Sequence, residues 1–208
     1  MKRVFCLSLL LMTAFFQLAL YAENVQDNRK QTKDMDSKKK VLVAFFSRAG
    51  ENYSVGNVKT GNTQIVAEMI AKEVQGDLFK IEPVKAYPAD YTECTKVAKA
   101  EQEADARPAV KGDAKVEDYD VVFIGYPNWW GDAPMPVYTF IGKHKWKGLT
   151  VIPFCTHEGS GLSNEASIQA ACAGASFKKG FDIYGHTAQK KRDETLAKVR
   201  TWLKKSGF

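Results

Sequence analysis

Three near-continuous apolar runs, VLVAFF (41–46), DVVFIGYP (120–127) and LTVIPFCT (149–156), constrain this chain more than any other feature. A strand with one wet face alternates apolar and polar residues, whereas a run that is apolar at successive positions belongs to a strand covered on both faces. Between these runs lie segments with a different period. TQIVAEMIAKEV (63–74) places Ile65, Val66, Met69, Ile70 and Val74 at helical spacing, and DYTECTKVAKAEQEA (90–104) is compatible with a helix. SNEASIQAACAG (163–174) offers Ser163 as a cap and Gly174 as a stop, and KKRDETLAKVRTWLKK (190–205) reads as a basic amphipathic final helix. Two weaker strands are expected in DLFKIEP (77–83) and around Phe181–Tyr184. Strand and helix alternate about five times, which predicts an α/β fold: a doubly wound, five-stranded parallel sheet with helices on both faces.

The remainder of the chain frames that domain. Lys2 and Arg3 precede an uncharged stretch from Val4 to Leu20. As a helix this stretch would span about 25 Å, short of a bilayer core of about 30 Å. A basic start, an apolar run and a small residue near its end describe a secretory signal peptide over residues 1–22, cleaved after Ala22; a retained N-terminal anchor is the alternative. Residues 23–40 lack an apolar face and read as a flexible polar tether, leaving residues 41–208 as the domain. The mature form is therefore expected to be exported and to lack a membrane span. With the leader and tether set aside, the domain carries a charge of about +2. No basic stripe interleaved with aromatic residues appears, so nucleic acid is not an expected partner. Cys94, Cys155 and Cys172 form no C-x-x-C pair, and His144, His157 and His186 show no metal-ligand spacing. Cys155 and Cys172 read as buried small hydrophobes, with a bridge between them left open.

In a doubly wound sheet, ligands sit beyond the carboxyl ends of the strands, where strand order reverses. Three unusual loops follow apolar runs: SRAGENYSVGNVKTGNT, YPNWWGDAPMP and THEGSG. Within the first, GNVKTGNT nearly spells a nucleoside-triphosphate loop, but Asn62 stands where that motif needs lysine. No acidic strand-end partner for a metal ion is evident, and the G-x-G-x-x-G dinucleotide pattern is absent. What remains is a hydroxyl-rich cradle at a helix N-terminus. Ser47, Thr60 and Thr63 offer O–H donors, and Gly61, Asn62 and Thr63 offer backbone N–H groups, suited to one terminal phosphate. Capping of the next helix by Thr60 or Asn62 is the plainer alternative. Trp129 and Trp130 beyond a buried strand suggest stacking on a flat ring, against the alternative that both pack under a helix starting near Pro134. Gly159 and Gly161 allow backbone to approach the same ligand. A terminal phosphate and a flat ring system together describe FMN.

These loops also carry a resemblance. FSRAGENYSVGNVKTGNT, KAYPADYTECTKVAKAEQEADARPAV, YPNWWGDAPMPVYTF and PFCTHEGSGLSN resemble the flavodoxin-like family, in the branch with a long first loop and a Tyr-Pro-x-Trp-Trp-Gly segment, over about residues 40 to 206. The resemblance implies that Ser47, Thr60, Gly61, Asn62 and Thr63 hold the FMN phosphate. Pro127, Asn128, Trp129, Trp130 and Gly131 would flank the ring and ribityl chain. Thr156, Glu158, Gly159, Ser160 and Gly161 would form the other wall. Two features depart from the family pattern. The first loop is longer than the compact loop of ordinary flavodoxins, so that Arg48 to Lys59 enters or covers the site. The mild basic charge also differs from their acidic surface, which bears on the choice of redox partner. The expected function is an FMN-binding oxidoreductase or electron carrier serving a partner protein or a small-molecule electron donor or acceptor. Tyr53, Tyr126 and His157 are candidates for proton transfer. The alternatives are a redox-inactive module binding another phosphorylated or aromatic ligand, and an NTPase, which the missing lysine disfavours.

Overall fold

Each of the three apolar runs is a strand at the centre of a parallel sheet in the computed structural model, which describes residues 39–208. The expected signal peptide and nearly all of the tether lie outside the described residues. In chain order, β1 (Val41–Phe45) leads through a small antiparallel hairpin, β2 (Gly50–Asn52) and β3 (Gly56–Val58), into α1 (Asn62–Val74). There follow β4 (Asp77–Lys80), α2 (Tyr91–Glu103), β5 (Val121–Pro127), α3 (Met135–Gly142) and β6 (Thr150–His157). The chain ends with α4 (Glu165–Ala171), β7 (Ser176–Phe177), β8 (Phe181–Tyr184), α5 (Gly185–Lys190) and α6 (Arg192–Lys205).

All pairings in the main sheet are parallel, and the strand order is β4-β1-β5-β6, with β7 and β8 sharing the far side of β6. The expected fifth strand is thus two pieces. Val151 pairs with Phe177 and Phe154 with Phe181, so Ile152 and Pro153 face the three residues Lys178, Lys179 and Gly180. Pro153 has no N–H to offer a neighbour, and an interrupted partner strand is where a proline in a sheet is tolerated. Counted as one strand, the order is 2-1-3-4-5, and it reverses between β1 and β5.

Alternate residues of β1 explain the two layers. Val41, Val43 and Phe45 join Val66, Ile70 and Val74 of α1 and Val199, Trp202 and Leu203 of α6 in one core. Leu42 and Ala44, with Phe46 just beyond the strand, join Val137, Phe140 and Ile141 of α3 and Ile168 of α4 in the other. Each such side chain contributes about 1.5–3 kcal/mol when fully buried, which is why an uninterrupted apolar strand suits a two-sided sheet. Two local expectations are corrected, and the open question of a Cys155–Cys172 bridge is answered. The last helical stretch is broken at Lys191, separating α5 from α6. Ser163 does not cap α4: its hydroxyl donates to Gly161 O, and Asn164, at φ 56°, stands at the helix start. Cys94, Cys155 and Cys172 are all buried and unpaired, so no Cys155–Cys172 bridge exists here. Burial raises both thiols of that pair to about 12, keeping them neutral.

Candidate cofactor site

At the switch point the chain leaves β1 through Ser47 and enters α1 at Asn62. Neither Thr60 nor Asn62 caps α1; Gly61 occupies the cap position, without a side chain to do so. Capping comes instead from Ser47, whose Oγ accepts the Gln64 N–H at 3.1 Å. That leaves the Ser47 O–H free to donate, and leaves the N–H groups of Asn62 and Thr63 without partners inside the helix. Gly61 is forced by proximity: a Cβ there would overlap Ser47 Oγ and the Arg48 carbonyl. Thr63 is buried, and its hydroxyl meets that of Thr156 at 2.7 Å, joining α1 to the end of β6. Asn62 Oδ1 accepts from Gln189 Nε2 at 2.8 Å, and the same amide nitrogen donates to Thr60 O at 2.7 Å.

The second loop begins as β5 ends. Asn128 N–H donates to Thr156 O at 2.8 Å, and Trp129 and Asp132 exchange backbone bonds across a tight turn. Trp130 (φ 56°) and Gly131 (φ 80°) occupy its centre, the positive-φ pair that a type I′ turn requires. The two indoles separate here. Trp129 is wedged edge-on between Phe46 and Tyr87, with ring centroids at 5.2 and 5.0 Å, and belongs to the core beneath. Trp130 is 54% exposed; its Nε1–H donates to Thr95 O at 3.0 Å and Lys99 Nζ lies 5.4 Å from its ring. Asn128 Oδ1 accepts the Gly131 N–H at 3.1 Å, yet its Nδ2 is buried with no partner among the described residues. An unpaired buried amide donor costs about 1–3 kcal/mol, so this atom calls for an acceptor.

The loop after β6 is built on two histidine–carboxylate pairs. Gly159 N–H donates to His157 Nδ1 at 2.9 Å, so the ring proton resides on Nε2 and donates to Asp182 Oδ2 at 2.9 Å. Glu158 accepts from His186 N at 2.8 Å and from His186 Nδ1 at 2.6 Å. Gly185 packs so closely that a Cβ would overlap the Asn62 side-chain amide and approach Glu158 Oε1 at 2.9 Å. Segment α5 therefore braces both the first loop, through Gln189, and the third loop, after β6, through His186.

A cavity of about 470 Å³ opens between these loops. Of the residues marked from the sequence, Asn62, Pro127, Asn128, Trp129, Trp130, Thr156, Glu158 and Ser160 line it. Ser47, Gly61 and Thr63 stand behind Asn62 as described, and Thr60 contributes its carbonyl to Gln189. Gly131, Gly159 and Gly161 set loop backbone at positive φ. Of the proton-transfer candidates, His157 and Tyr53 line the cavity. Tyr126 is fully buried, its hydroxyl on Ser163 O at 3.1 Å and its ionisation suppressed by burial. Sequence reasoning missed Gly185, His186 and Gln189, which act across the fold from α5, and Tyr91 and Cys94 of α2, which also line the cavity. No local pattern marks any of them. Among the described residues no cluster suited to a metal ion occurs, and no helix is long and apolar enough to cross a membrane.

Comparison with known proteins agrees with this architecture. A family model described as Flavodoxin matches residues 40–204. A candidate flavoprotein from Bacteroides eggerthii DSM 20697 is 33% identical, aligned over 80% of this chain and 96% of its own, with a TM-score of 0.62. A second, from Bacteroides uniformis ATCC 8492, is 31% identical over 80% and 98%, with a TM-score of 0.63. A Lactobacillus acidophilus NCFM flavoprotein, solved in complex with FMN, is 19% identical over 75% and 97%, with a TM-score of 0.54, and shares the fold. Among curated proteins nothing matches.

Proposed function

This chain belongs to the flavodoxin family, and from that premise we propose that it binds FMN at the switch point and serves as an oxidoreductase or electron carrier. The observation that carries this reading is the cradle at Gly61. Backbone, the Ser47 hydroxyl and the free first-turn N–H groups of α1 converge where no Cβ fits, beside a cavity with an aromatic wall. A phosphate monoester matches that donor set, because the helix N-terminus carries partial positive charge and the hydroxyls donate to anionic oxygens.

The rest of the site fits the same group. Asn128 Nδ2 is the buried donor that lacks a protein acceptor, and a flavin ring presents carbonyl oxygens and ring nitrogens able to accept from it. Trp130, exposed beside the cavity, is assigned as the indole that stacks on the ring, and Trp129 as the one that supports the wall. Ser160, Glu158 and Thr156 line the other side. Bound FMN would supply the redox chemistry, taking up one or two electrons per event. The chain's own part is to hold it and to exclude water from one ring face; burial keeps Tyr126 and Cys155 protonated, and Glu158 is held by hydrogen bonds from His186. The partner is a redox protein or a small-molecule donor or acceptor. Anaerobic titration of the FMN-loaded protein with dithionite tests the redox reading. Reversible bleaching of protein-bound flavin supports it; a protein that retains no flavin through gel filtration contradicts it.

A further inference from the structure

His157 is a buried titratable group that the cofactor reading leaves without a task. It lines the cavity, yet its side chain is only 3% exposed. Parallel pairing of β6 with β8 sets Tyr184 opposite His157. Asp182 lies two residues earlier in β8 and so on the same face of the sheet. It is the one charged residue of that strand. Its carboxylate reaches the imidazole at 2.9 Å, and the Tyr184 ring packs on the imidazole with centroids 4.7 Å apart.

With Nδ1 accepting from the Gly159 N–H and Nε2–H donating to Asp182, both ring nitrogens are engaged within the protein. A proton could pass from His157 to a bound molecule only after one of these bonds broke, which removes His157 from the proton-transfer candidates. What the pair does is fix one amide. Gly159 stands at φ 129° between Glu158 and Ser160, both of which line the cavity. Holding its N–H sets the path of the backbone that carries those two side chains. Protonation would undo this, because an imidazolium bears N–H at both nitrogens and Nδ1 would confront the Gly159 N–H as a second donor. Around the ring, the Asp182 carboxylate favours the added charge. Glu158 is a second carboxylate, already bonded to His186, whose ring lies 5.1 Å from that of Tyr184. Arg48, across the cavity lining, opposes the charge, while Tyr53, Tyr91 and Cys94 complete the titratable groups there. Cys155 pairs with Asp182 in the sheet and is kept neutral by burial.

We propose that His157 is a positioning residue for the cofactor: the neutral ring, oriented by Asp182, holds the Gly159 amide, and acid loosens FMN by protonating that ring. The inference rests on FMN lying against the loop after β6, as proposed above. His157 exchanges no proton with the flavin and acts only through Gly159.

Two measurements on the full chain test it. Nitrogen-15 NMR of the histidine-labelled protein reads the ring directly. At about pH 8 the His157 proton should reside on Nε2, and the Gly159 amide signal should move as the ring protonates. FMN titrations at about pH 8 and about pH 6, followed by flavin fluorescence, read the consequence. A phosphate monoester itself protonates near about pH 6, so variants separate the two sources of acid dependence. His157→Leu, with no acceptor for Gly159, should bind FMN about tenfold more weakly at about pH 8. His157→Asn keeps an acceptor where Nδ1 stands but does not titrate. It should restore most of that loss and weaken less steeply than the wild type on acidification. Asp182→Asn still accepts from Nε2–H but removes the charge that favours the protonated ring, so at about pH 6 it should hold FMN about threefold more tightly than the wild type. A proton on Nδ1 at about pH 8, or wild-type acid dependence in both His157→Asn and Asp182→Asn, overturns the positioning role and leaves FMN binding standing. Failure of the wild type to bind FMN contradicts the cofactor reading, and the acid coupling with it.

Discussion

At one end of the cavity Ser47, Asn62, Thr63 and Glu158 are each tied by hydrogen bonds to a distant part of the chain, whereas at the other Tyr53, Tyr91 and Trp130 rest on one another and on α2 with rings open to solvent. The contrast follows from what each end must recognise. An anion needs several donors at fixed distances, and fixing them before binding removes an ordering cost. A flat ring needs area, and aromatic side chains with two rotatable bonds provide it without a dense bond network. The polar end is thus expected to respond sharply to small backbone changes, and the aromatic end gradually to loss of surface.

Gly61→Ala should produce the largest effect. The new Cβ would displace Ser47 or the Arg48 backbone, removing at least one charge-assisted donor. FMN affinity should fall about a hundredfold, with about 1–3 kcal/mol of folding stability lost to overpacking. Flavin-fluorescence titration and thermal unfolding check the two numbers; an unchanged affinity would break the account of the polar end. Next come the two indoles, which should part company. Trp130→Ala should weaken FMN about tenfold while changing stability by less than about 1 kcal/mol. Trp129→Ala should instead cost about 2–4 kcal/mol of stability, because it empties the space between Phe46 and Tyr87. The reverse result would exchange their roles.

Thr63→Ala should weaken FMN about fivefold and destabilise the fold by about 1–3 kcal/mol, since it strands the buried Thr156 hydroxyl. Thr63→Ser keeps that bond and should restore most of both. His186→Ala should have the smallest effect, about twofold to threefold on FMN, because His186 braces Glu158 from a partly exposed position and its backbone N–H remains. An effect as large as that of Gly61→Ala would show that α5 holds the site more tightly than its geometry indicates.

The same contrast explains what could be read in the sequence. Strands β1, β5 and β6 were legible because burial on both faces leaves an uninterrupted apolar run, and α1 because its apolar residues keep one face. The hairpin was not, since GEN and GNV carry no period and are held by Arg48 rather than by their own composition. The division of the last strand depends on Pro153 in a different strand, and local patterning of Lys178 to Gly180 does not report it. For the site, the Gly, hydroxyl and Trp residues after the strands announced themselves by composition. Gly185, His186 and Gln189 did not, because their role arises only when α5 packs against the two loops.

Comparing FMN with riboflavin tests the central claim most directly, since the two differ only in the phosphate that the Gly61 cradle is assigned to hold. Titrated into the apoprotein and followed by flavin fluorescence, FMN should bind with one site per chain. Riboflavin should bind about a hundredfold or more weakly, the loss of at least two charge-assisted bonds. Equal affinity for the two, or binding of neither, would contradict a phosphate cradle at the start of α1.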